Sequence, residues 1–322
     1  GRDDMAMIYS KVPAVAAGTF TRNVVKAAPV KWDQQVVGES PFVQAVVMNA
    51  GIANACTGQE GMGYCKETAD AAGSALGIPS QAVLVASTGV IGMQLPMDRL
   101  RAGIGAMVPM LEDTRQAAAA AAQAIMTTDT HKKEAAVTFT VDGKTVTVGG
   151  MSKGSGMIHP NMATTLNFVT TDVCVAPQLV QKALSEIVKV TYNCLSVDGD
   201  TSTNDMVCVL ANGQAGNAMI TEEGEAYQQF YEALYLVLMN MTRMLAADGE
   251  GASKLLECTV SEAKDLDTAI IVAKSVICSP LFKCAMFGED ANWGRVLCAI
   301  GYAKADFPIE KVDVDLASET GV

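Results

Sequence analysis

Few residues in this sequence could carry nucleophilic or metal chemistry. Its two histidines, His131 and His159, are too few for a histidine-rich metal site, so metal catalysis is not expected. The sequence lacks the G-x-S-x-G elbow that frames many serine nucleophiles, which argues against a serine–histidine–aspartate triad. His159 is a candidate base, but it precedes a proline and has no evident partner in the sequence.

Thr164 is a different kind of candidate nucleophile. A threonine hydroxyl needs a neighbouring base, and the α-amine of a chain that begins with the threonine can serve as that base. Because Thr164 is internal, the chain would first have to cut itself between Ala163 and Thr164. By spacing alone, Thr164 is more simply interpreted as the first residue of a strand.

Two polar or glycine-rich segments resemble ligand loops without matching them. Residues 149–156 (GGMSKGSG) fit neither the phosphate loop G-x-x-x-x-G-K-[ST] nor the dinucleotide pattern G-x-G-x-x-G, so a tight turn is the simpler interpretation. Residues 198–205 (DGDTSTND) lack the sixth-position glycine and the closing glutamate of a calcium loop. A turn capped by side chains is the simpler interpretation there too.

Composition excludes several classes of protein. Of 322 residues, 50% are hydrophobic and 18% are charged, which excludes disorder and leaves enough apolar residues for a large core. The net charge of −12 argues against nucleic-acid binding. Apolar stretches are too short for a membrane span, and the charged beginning of the chain predicts no signal peptide. Nine cysteines without a C-x-x-C pair predict reduced thiols and a cytoplasmic protein.

Hydrophobic patterns predict strands that alternate with helices. Residues 137–141 and 144–148 alternate around Asp142 and Gly143, which predicts a hairpin with a type I′ turn. Further strands are predicted at residues 45–48, 83–86, 164–169, 206–210 and 269–273, and helices at 66–76, 113–126, 177–190 and 222–246. The alternation predicts an α/β fold, and the hairpin predicts that its sheet is not purely parallel.

Residues 153–164 (KGSGMIHPNMAT) resemble the self-cleavage segment of the ornithine acetyltransferases, the glutamate N-acetyltransferases of arginine biosynthesis. Further motifs resemble the same family in the same order. They are residues 85–92 (VASTGVIG), 126–130 (MTTDT), 198–205 (DGDTSTND), 247–251 (ADGEG) and 290–295 (DANWGR). Six ordered segments between about residues 4 and 307 make a chance match implausible.

The resemblance implies a role for each matching residue. Thr164 is implied as the nucleophile, freed by autocatalytic cleavage after Ala163, and Thr88 and Gly89 as the oxyanion hole. The implied substrate-binding residues are Thr127, Lys153, Thr164 and Glu250. Lys153 suits a substrate carboxylate, and Glu250 suits the ammonium group of ornithine. Without the resemblance, each of Thr127, Lys153 and Glu250 is more simply interpreted as a surface or turn residue.

The resemblance also implies an architecture and partners. Mixed sheets are expected between helix layers, with residues 1–163 as an α chain and 164–322 as a β chain that stay associated, as an α2β2 assembly. The implied substrates are N-acetylornithine and glutamate. No cofactor is implied, although acetyl-CoA is a candidate co-substrate in a bifunctional variant of the enzyme.

Two departures from the family pattern leave other functions open. Thr165 and Asn167 stand where the family usually has apolar residues, and a C-terminal family segment with two substrate-binding positions has no counterpart. One alternative is a self-cleaving aminopeptidase or amidohydrolase with an N-terminal nucleophile, in which water takes the acyl group. The other is an inactive, truncated homologue.

Overall fold

A seven-stranded sheet organises the computed structural model, which describes residues 2–159, 165–318 and 321. Its strands are β1 (Met5–Phe20), β2 (Val43–Ile52), β3 (Val83–Val90), β4 (Lys133–Val141), β5 (Lys144–Lys153), β6 (Leu166–Thr171) and β7 (Met206–Ala211). The α-helices of the described residues are α1 (Ala28–Glu39), α2 (Gly58–Leu76), α3 (Met97–Met107), α4 (Arg115–Ala124), α5 (Pro177–Val190), α6 (Glu225–Ala247), α7 (Leu266–Ile277), α8 (Pro280–Phe287) and α9 (Trp293–Gly301).

The strand order is β3-β2-β1-β7-β6-β5-β4, with both parallel and antiparallel neighbours. The β2–β3 and β6–β7 pairs are parallel, and the other pairs are antiparallel. Strands β6 and β7, which follow residue 164 in the chain, lie between β1 and β5, which precede it. The sequence prediction of a mixed α/β sheet is therefore confirmed, and the two predicted chains are interleaved within one sheet.

Strand β1 joins the two halves of this sheet, and it was not predicted from the sequence. Its first part pairs with β2, and residues from Val15 onward pair with β7. The ladder to β2 is irregular between Tyr9 and Ala14, next to Pro13. Proline has no N–H to donate to a ladder, so it belongs where a strand changes partners. The same interruption hides a 16-residue strand from a search for regular alternation.

Helices cover the sheet on both sides. Helix α6 packs on β4 and β5, and α5 packs beside it on β1, over a core that also includes β6 and β7. Helices α2 and α3 pack on the half formed by β1–β3. A shared core contains apolar side chains from both halves, together with α1 and α4. The predicted apolar face of α6 is buried throughout, at Phe230, Leu234, Leu238, Met241 and Leu245. The predicted arrangement of sheet between helix layers is thus confirmed.

The predicted hairpin is confirmed and is longer than its sequence pattern. Asp142 and Gly143 both have positive φ, at 52° and 73°, as a type I′ turn requires. Strand β5 continues to Lys153, where Lys153 pairs with Leu166 of β6. The second strand of the hairpin therefore ends at Lys153, which is buried next to β6.

The strand predicted at residues 269–273 is wrong, because these residues belong to α7. A short apolar run fits either a buried strand or a buried helix. The N-cap decides for a helix: the Asp265 side chain accepts a hydrogen bond from the Thr268 N–H at 2.7 Å. Val272 and Val276, four residues apart, then face one small core formed with α8 and α9.

No single helix of the described residues is both long enough and apolar enough to cross a membrane. The pair formed by α7 and α8, bent by 57°, meets both requirements together by length and composition only.

Candidate active site

A cavity of about 750 Å³ brings together residues that lie far apart in the sequence. Thr88 and Gly89 come from the end of β3, and Thr127 from the segment after α4. Lys153 is the last residue of β5, and Glu250 lies in the turn after α6. All five were predicted as site residues, and the fold places all five on the wall of one cavity.

Close backbone packing forms the Thr88–Gly89 side of the cavity. Gly89 has a φ of +128° and pairs with Gly51 at the end of β2. A Cβ on Gly89 would lie 2.2 Å from the Gly51 carbonyl carbon, so no other residue fits. Asn204 holds Ser87, the residue before Thr88, because its side-chain amide donates to the Ser87 carbonyl oxygen at 2.8 Å. The same amide donates to the Ala53 carbonyl oxygen at 2.6 Å.

Lys153 spans the cavity between two threonine hydroxyls. Its Nζ donates to Thr88 Oγ1 at 3.0 Å and to Thr127 Oγ1 at 2.9 Å. Burial lowers the pKa of Lys153, and the carboxylates of Asp129, Asp205 and Glu250 oppose that effect. A buried ammonium group aimed at hydroxyl groups is suited to binding an anionic substrate group.

A buried charge cluster supports this side of the cavity. Lys133, which is 1% exposed, donates from Nζ to Asp129 Oδ1 at 2.7 Å and to Asp248 Oδ2 at 2.6 Å. Burial alone would raise the pKa of Asp248, but hydrogen bonds from Lys133 and Thr130 outweigh it and lower that pKa to about 2. The sequence analysis assigned no role to Asp129, Lys133 or Asp248.

Two of those residues had a signal in the sequence. Asp129 and Asp248 lie inside the family-like motifs at 126–130 and 247–251, beside Thr127 and Glu250. Their common partner Lys133 lies outside every motif and is 115 residues away from Asp248. The cluster could therefore not be assembled from the sequence alone.

Glu250 is exposed and faces the glycine-rich segment after β5. A Cβ on Gly156 would lie 2.5 Å from the Glu250 carboxyl group, so the missing side chain makes room for that carboxylate. The Glu250 N–H donates to the Ser155 carbonyl oxygen at 2.9 Å. The tight turn predicted for residues 149–156 is wrong for residues 149–153, which extend strand β5. The chain leaves the strand only at Gly154, which has a φ of +157°.

The predicted cleavage site, Ala163 and Thr164, lies outside the described residues. On its N-terminal side, the 198–205 loop holds the chain through Asp198. The Asp198 carboxylate accepts hydrogen bonds from the N–H groups of Met157 at 2.6 Å and Ile158 at 2.9 Å. This loop therefore acts as the side-chain-capped turn expected from the sequence.

The same loop also contacts His159 and Thr165, on either side of the predicted cleavage site. Thr201 Oγ1 donates to the His159 carbonyl oxygen at 2.7 Å, and the Thr165 N–H donates to Asp205 Oδ1 at 2.8 Å. Thr165 has a φ of +142°, a conformation that favours glycine, and it lines the cavity. One loop thus contacts described residues on both sides of the predicted cleavage site.

The polar residues that depart from the family pattern satisfy one another. Asn167 donates from its side chain to Thr165 Oγ1 and to the Met206 carbonyl oxygen, and it accepts from Ser152 Oγ. Asn167 is fully buried. Because a buried amide is costly only without partners, this substitution keeps the packing behind the site intact.

His159 has partners away from the cavity. Its Nδ1 lies 3.0 Å from Ser196 Oγ and 3.8 Å from Cys278 Sγ. Burial and the nearby Lys274 ammonium group lower the pKa of His159. His159 is not among the described residues that line the cavity, and this position argues against it as the base.

The profile of the ArgJ family matches residues 1–321 of this sequence. The chain belongs to the ArgJ family. It is 47% identical over 321 residues to the "Arginine biosynthesis bifunctional protein ArgJ" of Thermotoga neapolitana, covering 99% of this chain and 80% of that protein. It is 52% identical over 314 residues to the protein of the same name in Symbiobacterium thermophilum, covering 98% and 77%.

Among solved structures, the chain is similar to the ornithine acetyltransferase of Mycobacterium tuberculosis, described as a complex with ornithine. The identity is 41%, the TM-score is 0.45, and the match covers 50% of this chain and 84% of that one. Membership of the ArgJ family confirms the family predicted from the motifs. It also confirms the predicted class of function, an acetyltransferase enzyme of arginine biosynthesis.

Proposed function

We propose that this ArgJ-family chain moves an acetyl group from N-acetylornithine to glutamate through an ester on Thr164. The observation that carries the proposal is the convergence of Thr88, Gly89, Lys153 and Glu250 on one cavity. Hydrogen-bond donors, a cation and a carboxylate are the groups that an acyl transfer between amino acids requires. Thr165, the next residue after Thr164, lines the same cavity.

In the first half of the reaction, the Thr164 hydroxyl attacks the acetyl carbonyl carbon of N-acetylornithine. Its proton passes to the Thr164 α-amine, which acts as the base. The Gly89 N–H and the Thr88 hydroxyl donate to the oxyanion. Because Lys153 donates to Thr88 Oγ1, the proton of that hydroxyl is directed elsewhere. The C–N bond then breaks, the proton passes to the departing amine, and ornithine leaves.

In the second half, the amine of glutamate attacks the acetyl ester, and the Thr164 hydroxyl is restored as N-acetylglutamate leaves. Lys153 binds the α-carboxylate of each substrate, and Thr127 donates its hydroxyl proton to the same group. Glu250 binds the side-chain ammonium of ornithine. The exposure of Glu250 suits a group that must admit two different side chains.

Self-cleavage between Ala163 and Thr164 supplies the free amine that this mechanism uses. The strand order supports association after cleavage, because β6 and β7 are hydrogen bonded to β5 on one side and β1 on the other. On this proposal, residues 1–163 as the α chain and residues 164–322 as the β chain both contribute strands to the one sheet. We extend the proposal to an α2β2 assembly, which light scattering of the purified protein tests.

Intact mass tests cleavage directly. The expected result is two polypeptides, one ending at Ala163 and one beginning with Thr164, in wild type and a single chain in Thr164→Ala. An uncut wild-type chain under native conditions contradicts self-processing. A cleaved Thr164→Ala chain indicates that another agent cuts.

Acetyl transfer is tested with purified, processed protein and N-acetylornithine, with and without glutamate. N-acetylglutamate should form only when glutamate is present. Release of acetate at the same rate without glutamate indicates the aminopeptidase or amidohydrolase alternative. Absence of both products indicates the inactive homologue. Acetyl-CoA, which we propose as a second donor, is tested in the same assay with glutamate.

The base is tested through the pH dependence of the transfer rate. A free α-amine has a reference pKa of about 7.7–8.0, and a Lys153 cation that shares the site with Thr164, as we propose, should lower it. The rate should therefore rise with pH to a plateau at or below about pH 8. His159→Gln should keep this rising limb at the same pH. Loss of the limb in processed His159→Gln protein would make His159 the base.

A cytoplasmic location completes the proposal. All nine cysteines lie in the described part of the chain and are free thiols, the state that a reducing compartment maintains. Fractionation of cells that express the protein tests the location.

A further inference from the structure

Lys133 occupies a position between the substrate-binding residues without lining the cavity. Its ammonium group is buried and pairs with Asp129 at 2.7 Å and Asp248 at 2.6 Å, and it also donates to the His131 carbonyl oxygen at 3.2 Å. Burying an ammonium group is unfavourable unless it is paired with good geometry. Three acceptors within hydrogen-bond distance provide that geometry.

Asp129 connects Lys133 to one side of the cavity. Its Oδ1 accepts from the Gly154 N–H at 2.6 Å, directly after Lys153 in the chain. Its Oδ2 accepts from the Thr127 N–H at 3.1 Å. One carboxylate thus holds the backbone N–H groups of Gly154 and Thr127. The side chain of Lys153, the residue before Gly154, donates to the Thr127 hydroxyl.

Asp248 connects Lys133 to Glu250. Its carboxylate accepts from the Thr130 N–H at 3.0 Å, and its carbonyl oxygen accepts from Ser155 Oγ at 2.7 Å. The Ser155 carbonyl oxygen in turn accepts from the Glu250 N–H. A continuous set of hydrogen bonds therefore runs from Lys133 to the backbone of Glu250.

We propose that Lys133 is a positioning residue that sets the distance between Lys153 and Glu250, the two groups that recognise opposite ends of the amino-acid substrate. The inference rests on the proposed function, because it assigns Lys153 to the α-carboxylate and Glu250 to the side-chain ammonium. Lys133 acts through Asp129 and Asp248 and does not contact the substrate. Without it, two buried carboxylates repel each other and both binding groups lose their fixed positions.

Lys133 also acts on the charge of Lys153. The charged groups that face Lys153 are Asp129, Asp205 and Glu250, which favour its protonated form, and Lys133, which opposes it. Removal of the Lys133 charge should therefore raise the pKa of Lys153. The pH above which the substrate carboxylate loses its cation should move upward, which a residue with a purely structural role would not cause.

The experiment compares Lys133→Met with Lys132→Met in processed protein. Lys132 is a matched control, since it is the neighbouring lysine but is 46% exposed and pairs with Glu134. In Lys133→Met, KM for N-acetylornithine should rise about 10- to 100-fold, the effect of losing hydrogen bonds to charged groups. The value of kcat should change less, and the alkaline limb of kcat/KM should move to higher pH. Lys133→Arg, which keeps the charge, should recover part of the affinity.

Amide hydrogen exchange gives a readout that does not depend on transfer activity. The N–H groups of Gly154 and Thr130 should exchange faster in Lys133→Met and at wild-type rates in Lys132→Met. The proposal is overturned if a folded Lys133→Met protein has wild-type KM, a wild-type alkaline limb of kcat/KM and wild-type exchange rates. It is also overturned if Lys132→Met changes these quantities as much as Lys133→Met does. An inactive wild type with the expected exchange changes refutes the proposed function and leaves the positioning network supported.

A second variant covers the case in which Lys133→Met does not fold. Asp248→Asn keeps an oxygen acceptor for the Thr130 N–H but removes the charge that pairs with Lys133. A several-fold rise in KM with faster exchange at Thr130 supports the proposal. Wild-type KM and exchange in folded Asp248→Asn overturn it.

Discussion

Two sides of the cavity are built in different ways. The proposed oxyanion wall contains Thr88 and Gly89, and it is held by close contact with the Gly51 backbone and by neutral hydrogen bonds from Asn204. The charge wall contains Lys153. The buried charges of Asp129, Lys133 and Asp248 support this wall without lining the cavity. Short contacts at an oxyanion wall suit donors that must not move, whereas paired charges can hold a cation ready for an anion.

The difference indicates where each wall is vulnerable. A wall of backbone contacts tolerates changes of charge but no added volume, because strands β2 and β3 leave no space between Gly51 and Gly89. A wall of buried ion pairs tolerates little loss of charge, because each member left unpaired is costly to bury. Substitutions that add volume or remove charge should therefore separate the two walls.

The largest effect is expected from added volume on the oxyanion wall. Gly89→Ala places a methyl group 2.2 Å from the Gly51 backbone and should lower kcat by about 100-fold or more, the loss typical of an oxyanion donor. Gly92→Ala is the control, because Gly92 also has positive φ but has open space around its Cβ. Steady-state kinetics and thermal unfolding of both variants test this. Equal kinetics in the two variants would contradict the role of close packing.

Acid should weaken the charge wall. The pKa of Asp248 is about 2 in the folded protein, below the ordinary value of 3.8, so its contribution to stability is present above about pH 4. That contribution, about 2 kcal/mol, should disappear as pH falls through 2. Denaturant unfolding between pH 5 and 2 measures it. Asp248→Asn should flatten this part of the profile of stability against pH, whereas the control Asp113→Asn, at an exposed position, should not.

The two hydroxyls bonded to Lys153 should separate the walls kinetically. Thr88→Val removes a proposed oxyanion donor and should mainly lower kcat, whereas Thr127→Val removes a proposed carboxylate ligand and should mainly raise KM. Each change should be about 10-fold, the lower end of the effect of one hydrogen bond to a charged group. The same kinetic change in both variants would mean that the hydroxyls serve only to orient Lys153.

The smallest effect is expected at Gly156. A methyl group there overlaps the Glu250 carboxyl group, but an exposed and flexible side chain can move aside. Gly156→Ala should therefore raise KM for N-acetylornithine only a few-fold and leave KM for glutamate nearly unchanged, since glutamate has no side-chain ammonium. Gly63→Ala, at a helical glycine with open space around its Cβ, is the control. A parallel rise for both substrates would remove Glu250 from ornithine recognition.

The sequence by itself determined the features that depend on near neighbours. Alternation around Asp142 and Gly143 specified the hairpin, and the spacing of apolar residues specified the buried face of α6. The ordered motifs identified the family and named Thr88, Lys153 and Glu250 as site residues. The hairpin, the helix face and each single motif lie within a stretch of fewer than 30 residues, and the order of the motifs is likewise displayed completely by a single sequence.

Only the tertiary structure decided which distant residues meet. Lys133 pairs with Asp248, β1 lies between β2 and β7, and His159 contacts Cys278. Each of these contacts joins distant segments, and no short stretch of sequence predicts it. Residues 269–273 show the same limit at short range, because their apolar run fits a strand or a helix until its packing partners are known. Burial decides both kinds of question, since it depends on every segment that covers a residue and not on the residue's own neighbours.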